Sequence, residues 1–365
     1  MGSSKLISNR EMFQMVLLLQ QGGLFWLLPY LLIGTNGTIG LISVLPGVAV
    51  GLLIILVCAF WGKRCREQSF PQSLTAMLGR PFGTVTGMCF MLLYLVFAVI
   101  CLSSFVEVIS TQLFSTTPRL AILVPVFLLA GWLAWNGLED IARLLILCIV
   151  LAVCLFLLAL AGSIGNFAPE NMLPLQINDV DQLRQSALHS IFFYSSLLVL
   201  FMVYPARNQT RHAGRQLAGA MVLSTAVFLL WVGLALGVFG QFSTGSLIWL
   251  PLELARMIRI GSFLERTEAL FTAMWMPIVL VNSGLLLWSV TESAHQLLHK
   301  QKSRWLHWGI VLLAAGMCVV MRNLLQLFYV EQVLSVVTLG LVPVLLAVVL
   351  LGTVVYSRKK EGQAS

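Results

Sequence analysis

In this chain of 365 residues 59% are hydrophobic, only 10% are charged and the mean hydropathy is +0.94, whereas soluble domains carry about 25% charged residues. A water-soluble fold is excluded. The net charge of +8 does not mark a nucleic-acid surface either, because the basic residues fall in clusters between apolar runs, which is the pattern of membrane topology.

An apolar helix of about 20 residues crosses the roughly 30 Å hydrocarbon layer of a bilayer, and such runs follow one another along the whole sequence. The polar start MGSSKLISNREMFQ meets the first of them without a small-residue cleavage site, so that run is read as a retained span. With Gly, Pro and charge as boundaries, the first five spans are expected near Met12 to Ile33, Thr38 to Trp61, Thr84 to Phe114, Leu120 to Trp135 and Leu144 to Ser163. The second five are expected near Ala187 to Ala206, Leu217 to Gly240, Thr267 to Thr291, Leu306 to Met321 and Val333 to Tyr356. The predicted fold class is therefore an all-α polytopic membrane protein of about ten transmembrane helices in one domain, with halves at about 12–163 and 187–356. Between the seventh and eighth spans, SLIWLPLELARMIRIGSFLERTE has apolar positions at helical spacing and predicts a short helix lying along the outer membrane surface.

Lys and Arg set the orientation. If the chain starts inside, sixteen basic residues fall on the inner side, among them Lys63, Arg64, Arg66, Arg80, Arg143, Arg207, Arg211, Arg215, Lys300, Lys302 and Arg304, against six outside. Both termini are then cytoplasmic, and an odd number of spans would put Arg358, Lys359 and Lys360 on the wrong side.

Breaks in the apolar pattern point to function, because lipid tolerates interrupted helices only where protein or water satisfies the freed backbone groups. Gln20, Gln21, Gly22 and Gly23 place two carboxamides and two permissive glycines inside the first span. In the sixth, His189, Ser190, Tyr194, Ser195 and Ser196 interrupt at a comparable depth, and paired breaks of this kind mark midplane sites in inverted-repeat transporters. Amide hydrogens around Gly22 and Gly23, at a positive half-helix end, suit a ligand carboxylate. Phe193, Tyr194 and Ser195 would then shape a side-chain pocket, with Asn282 and Ser283 as its far wall. Glu107 is a carboxylate toward the outer end of the third span and is open to a functional or a merely solvated reading. Gly47 with Gly51, Gly83 with Gly87 and Gly233 with Gly237 are expected to serve close helix packing.

Other chemistry finds little support. Six of the seven cysteines lie in apolar segments without C-x-x-C spacing and are read as packing residues. Glu292, His295 and His299 have helical ligand spacing but sit in a basic connection, where a solvated face is expected and no metal or other cofactor. No phosphate-binding loop and no nucleophile–base set occurs, so an enzyme is not expected.

Three stretches carry a family resemblance: ISNREMFQ leading to QQGGLFWLLP; GLEDIAR, with Gly137, Glu139, Asp140 and Arg143; and WLPLELARMIRIGSFLERTEALFTAMW, with Trp249, Pro251, Glu253, Phe263, Glu265, Arg266 and Glu268. The chain resembles the spore germination permeases, the B subunits of spore germinant receptors. That resemblance implies a LeuT-like fold of the amino acid, polyamine and organocation transporter type, with two inverted five-helix repeats and broken first and sixth helices. It also implies a small germinant, often an amino acid, an A subunit and a lipoprotein C subunit as partners, and the spore inner membrane as location. Glu139, Arg143, Glu265, Arg266 and Glu268 are expected to act in structure or assembly. The sixth span departs from the family pattern, with FFYSSLLVLF where relatives often have a glycine and an acidic residue. The competing expectation is an autonomous secondary transporter of amino acids on the same fold.

Overall fold

A computed structural model describes residues 7–22, 24–34, 36–65, 68–206, 213–257, 267–299, 301–321 and 323–364. The first apolar run folds as two helices, α1 (Asn9–Gly22) and α2 (Leu24–Ile33), with the axis turning by 62° between them. Ser8 starts α1 with a reciprocal cap, in which its amide and hydroxyl reach Glu11 Oε2 at 2.7 Å while the Glu11 amide returns to Ser8 Oγ. A 3₁₀ turn (Gly37–Ser43) leads into α3 (Val44–Arg64), followed by the short α4 (Phe70–Leu78) and the long α5 (Arg80–Val108), which ends in one π turn over Ile109–Leu113. Next come α6 (Arg119–Asn136) and α7 (Leu138–Ser163), joined at Gly137 with φ +102°. That angle favours glycine, and Glu139 and Asp140 then occupy the first turn of α7, where the helix dipole favours acids.

The sixth span is α8 (Val180–Tyr194), a 3₁₀ stretch Ser195–Val199, the single turn α9 (Leu200–Val203) and a last 3₁₀ turn to Ala206. Asp179 caps α8 through Gln182 N. The rest of the chain is α10 (Ala213–Ser246), α11 (Leu250–Arg256), α12 (Thr267–Leu297), α13 (Arg304–Val320) and α14 (Leu324–Ala364). Among the described residues, eight helical runs are long and apolar enough to cross a bilayer, and the bent α1–α2 pair makes nine. The ninth expected span is α13, apolar but of 17 residues, so length and composition do not by themselves establish the count of ten.

α12 is central and packs on α5, α6 and α7, while α3 pairs with α8 and α1 with α10. α5 is buried almost throughout its second half, and α7, α13 and α14 expose Leu147, Leu312 and Leu351 as lipid-facing surface. Glycine spacing served packing in two of the three expected pairs. A Cβ on Gly47 would meet Ser190 O at 2.7 Å and one on Gly51 the Met221 sulfur at 2.6 Å; Gly83 lies against α4 and Gly87 against Leu297. The third pair is half an exception, since Gly237 packs on Phe167 but Gly233 has nothing within 4 Å.

Three expectations are corrected. The sixth span begins near Val180, and Glu331, expected outside the tenth span, lies two turns inside α14; both helices bury polar groups against each other, which an apolar-run reading takes for loop. In the stretch expected to lay its apolar face on the outer membrane surface, α11 instead buries Leu250, Pro251, Leu252, Leu254 and Ala255 among α2, α7, α10 and α12. Its apolar face is satisfied by protein instead of lipid. His295 is not on a solvated face but buried, and its Nε2 accepts a hydrogen bond from Ser303 N at 2.8 Å.

Candidate functional site

α1 stops at Gly22, and its last carbonyls need donors that the helix cannot supply. α12 brings two. Trp275 Nε1 donates to Gly22 O at 2.7 Å, and Asn282 Nδ2 donates to Leu18 O at 2.7 Å. The fit is close, because a Cβ on Gly22 would lie 1.6 Å from Asn282 Nδ2. Gln21 turns to α10, giving Nε2 to Ser224 O and Oγ, while Ser224 Oγ closes on Leu17 O. Gln20 is the open group: both its amide atoms are buried and neither has a hydrogen-bond partner among the described residues. A small cavity of about 30 Å³ is walled by Gln21, not Gln20, together with Trp231, Pro251, Phe271 and Trp275. α2 begins at Leu24, so α1 presents carbonyls at this break and α2 a helix N-terminus with its free amide hydrogens. Gly23 lies outside the described residues.

The other expected residues distribute over neighbouring contacts. Tyr194 sends its hydroxyl to Thr225 Oγ1 at 2.7 Å and lays its ring on Gly47 and Gly51. Phe193 is buried edge-on to Phe192. Ser195 and Ser196 bond back to Ile191 O and Phe193 O, local bonds of the kind that loosen a helix without breaking it. The sixth span therefore tightens to 3₁₀ at Ser195 where no glycine or proline is present, and this stretch touches α1 and α5. Ser283 donates to Cys101 Sγ on α5, so Asn282 and Ser283 face different helices. The structure thus brings together Gln20, Gln21, Gly22 and Asn282. It adds Trp275, which sequence reasoning missed although it lies seven residues before Asn282 and so on the same helix face.

A larger opening lies at the far end of the bundle, a cavity of about 530 Å³ bounded by the end of α2, the 174–178 segment, the start of α8 and the end of α10. Its walls are rich in carboxamides, including Gln176, Gln182, Gln185 and Gln241. His189 also lines it, and behind the ring Glu331 of α14 is fully buried, with Oε1 and Oε2 at 2.8 and 2.7 Å from His189 Nδ1. Ser335 Oγ lies 3.0 Å from Glu331 Oε1. The stripe Glu331, Ser335 and Thr338, all buried at helical spacing, was the available signal for this cluster.

Glu107 is buried and pairs with Arg119 at 3.4 Å, so it is not simply solvated. Glu139 and Arg143 form an exposed pair one turn apart on α7. Of the third motif, Glu253 holds Arg256, which also reaches Gln112 on the π turn, and Glu268 is half-buried at the start of α12; Glu265 and Arg266 lie outside the described residues.

Comparison with known proteins gives a consistent result. A family model described as spore germination protein matches residues 6–326. The chain is 24% identical to spore germination protein KB of Bacillus subtilis over 278 residues, 73% of this chain and 71% of that one. It is 20% identical to spore germination protein YndE of the same organism over 243 residues, 66% of this chain and 67% of that one. Among solved structures, MhsT in complex with L-phenylalanine superposes with a TM-score of 0.71 at 16% identity, covering 93% of this chain and 88% of that one. A Na⁺-coupled sialic acid symporter gives 0.63 at 13% identity, covering 94% and 78%. The fold is that of these LeuT-like transporters.

Proposed function

Because this chain belongs to the spore germination permease family, we propose that it is the B subunit of a spore germinant receptor and binds a small germinant of amino-acid size at the break in its first span. The observation that carries this reading is the buried Gln20 carboxamide, without a hydrogen-bond partner among the described residues, next to a helix break whose preceding carbonyls Trp275 and Asn282 bind. A zwitterion fits the chemistry, with its carboxylate on the α2 N-terminus and its ammonium toward the carbonyls at the end of α1. Phe193, Tyr194, Ser195 and Ser283 are proposed to border the site from the sixth and eighth spans, Tyr194 governing which side chain is accepted.

On this reading the chain is two inverted repeats, about 12–163 and 187–356, with both termini on the spore-core side of the inner membrane. An A subunit and a lipoprotein C subunit are its proposed partners, and Glu139, Arg143, Glu265, Arg266 and Glu268 are proposed for structure or assembly. A second reading, autonomous secondary transport of an amino acid, is favoured by the superposition on MhsT with its bound L-phenylalanine. Reconstitution separates the two. The purified chain in liposomes is expected to bind labelled germinant without concentrating it, and Trp275→Phe, which keeps the ring but removes the Gly22 contact, is expected to weaken binding about tenfold. Concentrative uptake by the chain alone would overturn the receptor reading.

A further inference from the structure

The cluster behind the far-end cavity has no part in the site just described. Glu331 is fully buried within a membrane span, where a carboxylate needs a partner to stay ionised. Its partner comes from a different helix, His189 of α8, and the ring of His189 also reaches the cavity wall. Nδ1 is committed to Glu331, and Nε2 makes no hydrogen bond to a described residue.

We propose that His189, Glu331 and Ser335 form a proton-binding site, fastening the outer half of the sixth span to α14 and making passage from the cavity toward the first-span break depend on protonation. This rests on the proposed ligand site at the first-span break, and takes the cavity as the ligand's way to it. The proton balance is simple. With Glu331 ionised, one proton sits between Nδ1 and the carboxylate; a second, taken from cavity water, binds Nε2 and returns to that water when it leaves. Protonated, the pair is imidazolium against carboxylate, and attraction across the α8–α14 interface is strongest. Deprotonated, a neutral ring donates one hydrogen bond and the interface loosens. The 3₁₀ stretch Ser195–Val199, at the inner end of α8, is the segment about which that half can swing.

The charged and titratable neighbours leave this pair as the switch. On α8 itself, Asp179 caps the helix and Asp181 pairs with Arg184 at the exposed surface. α2 contributes Tyr30, stacked on Phe328, and α14 contributes Tyr329, turned outward. α3 offers Cys58, Lys63 and Arg64, all toward its opposite end. α5, reached through the 3₁₀ stretch, carries Tyr94, bonded to Leu198 O, and Glu107, paired with Arg119.

The test is made on the full chain in lipid nanodiscs without ligand, so that its failure does not bear on germinant binding. Spin labels at Gln185→Cys and Leu325→Cys, both exposed on α8 and α14, report the interface by pulsed electron resonance; the chain without these two substitutions measures the background from its own cysteines. Between about pH 5.5 and pH 8 the label separation is expected to lengthen by about 2 Å or more. Glu331→Gln and His189→Gln should each abolish the pH response. If either single variant fails to insert, the double variant, which leaves no buried charge alone, is read in its place. A separation that ignores pH, or a pH response that survives the substitutions, overturns the proposal.

Discussion

Gly22 has no room for a methyl group, and what occupies the space is the donor that caps the helix it ends. Any side chain there must push Asn282 off Leu18 O, so the two positions are coupled through one small volume. Gly22→Ala alone is expected to cost about 1–3 kcal/mol by overpacking, and Asn282→Ala about 1–3 kcal/mol by leaving a buried carbonyl short of a donor. The double variant should cost less than the sum, because the shortened residue 282 makes room for the new methyl. Thermal unfolding of the four proteins in one detergent measures this; strict additivity would show that Gly22 and Asn282 do not share the space. The glycine pair was visible in the sequence as a break, but the contacts that Gly22 makes there were not. Gly22 contributes a carbonyl to Trp275 and a gap for Asn282, and neither follows from the residue type.

At the scale of the helices, contact between α3 and α8 depends on Gly47, whose missing Cβ would meet the carbonyl of Ser190. A backbone atom cannot rotate away as a side-chain tip can. Gly47→Ala should therefore destabilise the chain by about 2 kcal/mol or more, whereas Gly233→Ala, facing open space, should be neutral or slightly favourable; equal melting temperatures for the two would refute the contact. Which elements exist was largely legible, since apolar runs of span length have few other fates. The ends of the sixth and tenth spans were not. Ser186 and Glu331 read as connection residues outside their spans and His189 as a polar break inside one, yet all three are buried because each finds its partner on another element, Ser186 on Leu31 O and the other two on each other. α11 failed for the converse reason, as an apolar face at helical spacing suits lipid and protein equally until a neighbour is known. The sixth span's tightening at Ser195 was foreseen as a place but not as a form, because serine back-bonding leaves no glycine or proline to announce it.

For the whole molecule, the excess of Lys and Arg on one set of connections predicts that both ends of the chain emerge on the same side. Protease-cleavable tags at the two termini of the chain in sealed inside-out vesicles should both be cut from outside, and protection of one alone would rule out an even number of spans. The last helix, α14, has an unusual reach. It runs unbroken from Leu324 to Ala364, about 60 Å at 1.5 Å per residue, twice the roughly 30 Å hydrocarbon layer. Glu331 sits near one end and Arg358 about 40 Å away near the other. A rod of that length is a lever arm: a tilt of about 5° at the Glu331 end carries the Arg358 end sideways by about 3.5 Å, enough to shift one helix surface against another. Protons exchanged on one face of the membrane would then be felt as mechanical displacement on the opposite face, where a neighbouring subunit could read it without any ligand crossing.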